Sequence, residues 1–229
     1  LQQIGDFLAQ RGLVYVVDNT MTSPYLFQPK SVGASLVINS LTKYVGGHGN
    51  VLGGAVTETG RYDWSSFPNI YPEYQRSEPA KWGITQIRKK GLRDFGASLG
   101  PEAAHRVAIG AETLALRVQR QSENAMAMCE FLHAHPKIKK VYYPGLAEHP
   151  QHARAGELFR AFGGLLSFEL QSHVDLWEFL NRLQVIVKSS NLGDNRTLAI
   201  PVAHTIYFEM GPARRARMGV DDALTRISS

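Results

Sequence analysis

Three short apolar runs lie in the first quarter of the chain, at 13–18, 34–39 and 51–57. They are rich in β-branched residues and show no strict alternation, which is typical of strands buried on both faces of a parallel sheet. The stretch 4–10 before the first run predicts the end of a helix that stops near Gly12. This alternation of strands and helices predicts a doubly wound α/β domain, in which ligands collect at the carboxyl ends of the strands.

The pattern changes at 61–80, a loop rich in aromatic residues and proline. Long loops of this kind are usually functional or interfacial. Helical spacing of apolar residues then predicts helices over 82–95 and 101–135. Short strands and single helices follow, and they predict a second, smaller α/β domain. We place the boundary within the long helix, so that the two domains are 1–113 and 114–229.

The amino-acid composition restricts the classes of protein to which the chain can belong. The 229 residues are 44% hydrophobic and 20% charged, which is ordinary for a folded domain and excludes disorder, collagen and coiled coil. A single Cys excludes an internal disulfide and favours a reducing, cytoplasmic compartment. The net charge of +5 comes from short, scattered basic clusters without interleaved aromatics, so no nucleic-acid partner is expected. No apolar run approaches the roughly 20 residues that span a bilayer, so no membrane association is expected.

Both ends of the chain look cut. It begins at Leu1 rather than Met, and it stops at Ser229 within a strand-like segment. We therefore expect a piece of a longer protein.

The segment Ser40-Leu41-Thr42-Lys43, followed by the glycine-rich stretch 46–49, allows three interpretations. Lys43 could be a surface lysine on a turn. Ser40 and Lys43 could form the Ser-x-x-Lys pair of penicillin-binding enzymes, but its companion motifs Ser-Asp-Asn and Lys-Thr-Gly are absent. Lys43 could instead be a Schiff-base lysine, whose amine must be neutral to condense with an aldehyde, with the hydroxyls of Ser40 and Thr42 as donors to a phosphate.

Asp18 helps to separate these interpretations. An Asp at a strand end is often only a turn or cap residue. This one precedes Lys43 by 25 residues, so one βα-type excursion places the two side chains on neighbouring strand ends. A carboxylate there can face the lysine across a flat cofactor, as the acid that pairs with the pyridine nitrogen does in pyridoxal enzymes.

Two segments, 18–25 and 39–48, resemble the cofactor-binding signature of the Cys/Met-metabolism family of pyridoxal-phosphate enzymes. This family includes cystathionine γ-synthase, the cystathionine lyases, methionine γ-lyase and the O-acylhomoserine sulfhydrylases. The resemblance continues in family order through 112–117, 143–146, 191–194 and 224–228. It thus covers essentially the whole chain.

The resemblance implies the type I, aspartate-aminotransferase-like α/β fold. It makes 1–113 the C-terminal part of the cofactor-binding domain and 114–229 the small domain, truncated at its end. It also implies a homo-oligomer, a homotetramer built as a dimer of dimers. About half of the family's cofactor site would precede Leu1.

For individual residues, the resemblance implies that Lys43 carries pyridoxal 5'-phosphate and that Asp18 pairs with the pyridinium nitrogen. Ser40 and Thr42 would bind the phosphate. Arg226 would grip the substrate's α-carboxylate as a bidentate fork. Asn191, where many relatives have Ser, would contribute to substrate binding.

The resemblance also suggests a reaction. The aromatic loop and Asn191 favour the O-acylhomoserine sulfhydrylases: γ-replacement on an O-acylhomoserine by sulfide or a thiol, giving homocysteine or cystathionine. The alternative is γ- or β-elimination from cystathionine or methionine, and a remote one is a non-catalytic binding or assembly relative. No metal site is expected, because the pairs His133/His135 and His149/His152 lack a third ligand nearby.

Overall fold

The computed structural model describes residues 1–229. Its α-helices are α1 (Gln2–Gln10), α2 (Ser23–Leu26), α3 (Trp82–Gln86), α4 (Arg93–Phe95), α5 (Pro101–Glu112), α6 (Leu114–His133), α7 (His152–Leu158), α8 (Leu176–Asn181) and α9 (Gly211–Arg217). Its strands are β1 (Val16–Asp18), β2 (Leu36–Ser40), β3 (Gly54–Glu58), β4 (Ile138–Tyr142), β5 (Leu165–Leu170), β6 (Val187–Lys188), β7 (Leu198–Pro201) and β8 (Leu224–Ser228). None of the helices is both long enough and apolar enough to cross a bilayer.

The three N-terminal strands form one sheet in the order β1-β2-β3. β1 pairs with β2 in parallel, as predicted, but β3 runs antiparallel to β2. The expectation of a uniformly parallel sheet was wrong here, because the segment between β2 and β3 returns the chain without the helical crossover that a parallel strand requires. The prediction of burial on both faces was also wrong, since Val16, Ile38 and Val56 are 46%, 39% and 41% exposed.

The C-terminal part contains a second, five-stranded sheet in the order β4-β5-β8-β7-β6. One face of this sheet packs against α6 and α8 through an apolar core that includes Phe168, Leu180 and Ile227. Cys129 of α6 lies fully buried in the same core.

The single helix predicted over 101–135 is two helices, α5 and α6. The break falls at Thr113, whose φ of −103° and ψ of 5° leave the helical range. One turn earlier, Gly110 packs so closely on the backbone of Gly46 that a Cβ there would overlap its carbonyl oxygen. The domain boundary near residue 113 coincides with this break and stays a prediction.

The aromatic loop at 61–80 contains three single 3-10 turns, at Trp64–Ser66, Pro72–Tyr74 and Pro79–Lys81. Its aromatic residues Trp64 and Tyr74 are buried in one cluster with Leu36 of β2. The indole Nε1 of Trp64 also donates to Glu58 Oε2 at 2.9 Å. The loop therefore packs on the three-stranded sheet.

Candidate functional site

Asp18 and Ser40 end two adjacent parallel strands and lie at the same edge of the sheet. The turn after Asp18 links the two ends, since the Ser40 N–H donates to Thr20 Oγ1 at 2.8 Å. The buried Asn39 side chain adds a second link by donating to the Asn19 carbonyl at 3.0 Å. Strand pairing and side-chain hydrogen bonds together fix the relative position of these two residues.

The carboxylate of Asp18 is exposed at this edge. Its Oδ1 accepts a hydrogen bond from the Thr20 N–H at 2.9 Å, which orients the side chain. An exposed, oriented carboxylate remains available to a cationic group of a ligand.

Lys43 lies in a π-helical turn, Leu41–Val45, that follows directly from β2. Its own φ and ψ of −93° and −126° are outside the helical region. The turn is closed behind it, because the Gly47 N–H donates to the Lys43 carbonyl at 2.7 Å. In front, Lys43 Nζ donates to Asn191 Oδ1 at 2.7 Å, across 148 residues of sequence.

Burial lowers the pKa of Lys43, and the positive charge of Arg226 lowers it further. A lower pKa means that a larger fraction of the amine is uncharged at a given pH. The uncharged amine is the form that condenses with an aldehyde or accepts a proton.

The Thr42 hydroxyl is engaged with the protein backbone. It accepts from the Gly53 N–H at 3.1 Å and is 3.4 Å from the Gly53 carbonyl oxygen. These contacts close the segment between β2 and β3 beside the lysine. A role of Thr42 or Ser40 in phosphate binding stays a prediction.

Arg226 lies in the middle of β8, opposite Ser167 of β5 and Ile200 of β7. Its Nη2 donates to the carbonyl oxygens of Ser190 and Asn191, each at 2.9 Å. Its Nε is buried and has no hydrogen-bond partner, and burial lowers the pKa of the guanidinium. An unsatisfied buried donor is costly, and a carboxylate oxygen is the acceptor that suits a guanidinium best.

A cavity of about 480 Å³ opens at the lysine. Its lining residues come from the lysine turn, the segment before β3 and the segment after β6: Thr42, Lys43, Gly49, Asn50, Val51, Leu52, Ser190 and Asn191. The structure thus brings Thr42, Lys43 and Asn191 to one cavity, and Arg226 supports its wall through the carbonyls of 190 and 191. Asp18 and Ser40 lie outside this lining, at the strand ends that lead to it. A larger cavity of about 640 Å³ lies at the second sheet and contains none of these six residues.

Sequence patterns alone missed the residues that hold this wall and turn. Asp194 is 1% exposed and binds Arg196 through two contacts of 2.9 Å. A Cβ on Gly49 would overlap the Asp194 carboxylate. Arg117 reaches from α6 to the carbonyls of Tyr44 and Val45. Asp194 and Arg117 lie in the segments 191–194 and 112–117, which carry the family resemblance. A local motif does not show which distant residue a side chain contacts, so the sequence did not reveal what these two residues do.

The residues present fit a cofactor that carries an aldehyde and a phosphate. Lys43 supplies a partly buried amine with a lowered pKa, and two hydroxyl residues precede it. Asp18 supplies an oriented carboxylate on the neighbouring strand end. The structure contains no group of three or more His, Cys, Asp or Glu residues that could hold a metal ion.

Comparison with known proteins agrees with this chemistry. A sequence model of the family described as Cys/Met metabolism PLP-dependent enzymes matches residues 1–229. The chain is 37% identical over 243 residues to O-acetyl-L-homoserine sulfhydrylase 1 of Thermus thermophilus, covering 100% of this chain and 57% of that protein. It is 36% identical over 215 residues to an L-methionine gamma-lyase of Fusobacterium nucleatum, covering 93% of this chain and 49% of the lyase.

Solved structures show the same fold. A putative O-acetylhomoserine (thiol)-lyase from Campylobacter jejuni, which carries a pyridoxyl-lysine monophosphate, superposes with a TM-score of 0.87 at 32% identity, over 99% of this chain and 57% of that one. A cystathionine gamma-lyase from Micromonospora echinospora superposes with a TM-score of 0.86 at 30% identity, over 99% and 54%. The predicted type I fold is confirmed, and the chain spans about half the length of the curated relatives it matches.

Proposed function

Because the chain belongs to the Cys/Met-metabolism family of pyridoxal-phosphate-dependent enzymes, we propose that the protein catalyses γ-replacement on an O-acylhomoserine. The incoming nucleophile is sulfide or a thiol, and the product is homocysteine or cystathionine. The observation that carries the enzyme assignment is the contact between Lys43 Nζ and Asn191 Oδ1, with the Arg226 guanidinium beside it. The 37% identity to an O-acetyl-L-homoserine sulfhydrylase supports γ-replacement as the reaction.

Pyridoxal phosphate, when bound, supplies an aldehyde that bonds to amines and a ring that accepts electron density from an adjacent carbon. We assign Lys43 as the residue that holds it covalently, and Ser40 and Thr42 as the residues that bind its phosphate. Asp18 pairs with the ring nitrogen, and its exposed position on the neighbouring strand end supports this role.

Arg226 binds and orients the α-carboxylate of the substrate, and its unpaired buried Nε supports that assignment. Asn191 fixes the position of the Lys43 amine and borders the substrate. Once released from the cofactor, Lys43 acts as the base that removes the proton from the substrate's α-carbon, a task favoured by its lowered pKa. Lys43 would then pass this proton on and remove a second one from the β-carbon, after which the γ-substituent would leave with its bonding electron pair.

Elimination from cystathionine or methionine is the second candidate. The names of two relatives favour it, the L-methionine gamma-lyase of Fusobacterium nucleatum and the cystathionine gamma-lyase of Micromonospora echinospora. Proton removal by Lys43 and carboxylate binding by Arg226 are common to both reactions. The two candidates differ in whether a sulfur nucleophile adds before the product leaves.

We infer assembly as a homotetramer, a dimer of dimers, in the cytoplasm. Apolar side chains exposed on α1, such as Ile4 and Phe7, support association with further protein surface. The lone Cys129 is buried, and burial raises the pKa of its thiol to about 12, which is consistent with a reducing compartment. Light scattering of the full-length protein should give four times the mass of one chain.

Absorption spectroscopy tests the enzyme assignment. The full-length protein with pyridoxal phosphate should show the absorption band of a lysine-bound cofactor, and Lys43→Ala should lose it. Lys30→Ala, which removes an exposed lysine, is the matched control and should keep the band. A colourless wild type would favour a non-catalytic relative.

Product analysis tests the reaction itself. The full-length protein is incubated with O-acetylhomoserine plus sulfide and, separately, with cystathionine alone. We expect homocysteine from the first mixture. If cystathionine gives ketobutyrate and the ester gives no homocysteine, the reaction is elimination and the proposal of γ-replacement is wrong.

A further inference from the structure

The segment 112–117 has no role in the function proposed so far. It contains Arg117, a partly buried arginine in the first turn of α6, whose guanidinium crosses to the lysine turn. Nη1 donates to the Tyr44 carbonyl at 2.8 Å, and Nη2 donates to the Val45 carbonyl at 3.2 Å. Nη2 also donates to the Gly110 carbonyl at 2.6 Å, and Nε donates to Thr113 Oγ1 at 3.0 Å. One side chain thus joins the end of α5, the start of α6 and the turn that carries Lys43.

The accepting carbonyls lie immediately after Lys43, where the turn ends. The last carbonyl groups of a short helical segment have no partner within the segment and must be satisfied from outside. Arg117 supplies the donors for Tyr44 and Val45. Because the peptide of Tyr44 follows Lys43 directly, these bonds constrain the backbone that directs the lysine side chain toward Asn191.

The packing around the guanidinium leaves it little room to move. A Cβ on Gly47, whose φ is +68°, would overlap Arg117 Nη1. A Cβ on Gly110 would overlap the carbonyl oxygen of Gly46, so α5 also packs closely on this turn. The helix break at Thr113 also places its hydroxyl as the acceptor for Nε. The absence of a side chain at Gly47 therefore leaves the space that the guanidinium occupies.

We propose that Arg117 is a positioning residue for Lys43, which clamps the backbone of residues 44–45 and so holds the Lys43 amine in its place against Asn191. The inference rests on the function proposed for Lys43. A lysine at 117 would keep the charge but not the planar fork that reaches several carbonyls at once. The clamp therefore depends on the guanidinium geometry.

The test compares Arg117→Lys with Arg120→Lys in the full-length protein. Arg120 lies on the same helix, its side chain is 74% exposed, and it contacts only Glu123 as an ion pair, so it is a matched control. The first readout is amide hydrogen exchange over residues 41–47 without added cofactor. We expect exchange at least about tenfold faster in Arg117→Lys, because the bonded turn opens more readily, and no change in Arg120→Lys.

The second readout is the pH at which the absorption band of the lysine-bound cofactor changes. We expect Arg117→Lys to move this midpoint by about 0.5 pH units or more, because the amine no longer has a fixed environment. We further expect kcat to fall about tenfold with KM changed less than about threefold, since Arg117 acts through Lys43 and does not touch the substrate. Unchanged exchange at 41–47 and an unchanged midpoint would overturn the proposal.

Thr113→Val is the milder variant if Arg117→Lys does not fold. It removes the acceptor for Nε at an exposed position, together with the 3.4 Å hydrogen bond from the Thr113 hydroxyl to the Gly110 carbonyl. It should shift exchange and the absorption midpoint in the same direction by a smaller amount, and wild-type values for both would contradict the clamp. Neither readout requires turnover, so a wild type that binds the cofactor without forming homocysteine would refute γ-replacement and leave the clamp testable.

Discussion

The two sheets of this chain are packed very differently, although each carries part of the candidate site. The five-stranded sheet buries residues such as Phe168 and Ile227 to 1% exposure against two helices. The three-stranded sheet leaves Ile38 39% exposed. Arg226 therefore lies on a strand with a complete core behind it, whereas Asp18 lies on a strand with an open face.

This difference shows which interactions hold each part of the site in place. On the second sheet, burial of one face fixes the register of β8 and hence the place of Arg226. On the first sheet, the Asn39 side chain donates to the Asn19 carbonyl and the Thr20 hydroxyl accepts from the Ser40 N–H, and these two hydrogen bonds fix the strand ends. The ends of β1 and β2 thus depend on polar contacts, and the place of Arg226 depends on apolar packing.

Matched isoleucine truncations should give the largest effect. In the 229-residue chain, Ile227→Ala should lower the free energy of unfolding by about 2–5 kcal/mol, because it leaves a cavity in a closed core. Ile38→Ala should lower it by only about 1 kcal/mol, because that side chain is partly in water already. Urea unfolding measures both, and equal losses would show that the two sheets are equally well packed.

Replacing Arg226 by lysine should give a smaller effect, confined to substrate binding. Arg226→Lys keeps the positive charge but loses the fork and the unpaired Nε, so hydrogen bonds worth about 1.5–3 kcal/mol to a carboxylate are lost. We expect KM for the amino-acid substrate of the full-length enzyme to rise about tenfold to a hundredfold. Arg182→Lys, at an exposed position of the small domain, is the control. A KM equal to that of the wild type would show that Arg226 does not bind the substrate carboxylate.

Much of this organisation could be predicted from sequence, and the part that could not has a physical reason. Local patterns predicted the strands that end at Asp18 and near Ser40, because strand ends depend on neighbouring residues. They could not predict the contact between Lys43 and Asn191, which are 148 residues apart and meet only when the two sheets pack together. The family resemblance assigned both residues to one site, with Asn191 in substrate binding, and did not predict their contact.

The helix over 101–135 shows the same limit at a smaller scale. Its apolar spacing is continuous across residue 113, so periodicity predicts one helix. At the break, Gly110 lies against Gly46 and Thr113 accepts a hydrogen bond from Arg117. The contact of Gly110 with Gly46 joins distant parts of the chain, so no local helix propensity encodes it. The hydrogen bond between Thr113 and Arg117 lies within the next helical turn.

The smallest predicted effect concerns the pKa of Lys43, which burial lowers first and the Arg226 charge lowers second. Arg226→Met removes a like charge, so the ammonium form becomes more stable and the pKa of Lys43 should rise. Asn191→Ala should lower it instead, because an amide oxygen stabilises an ammonium donor more than an amine. The pH dependence of Lys43 acetylation, followed by mass spectrometry on full-length protein without added cofactor, measures both shifts. Arg226→Lys keeps the charge and is the control, and shifts of the same sign in Arg226→Met and Asn191→Ala would contradict this account of how residues of the second sheet and its connections act on the Lys43 amine.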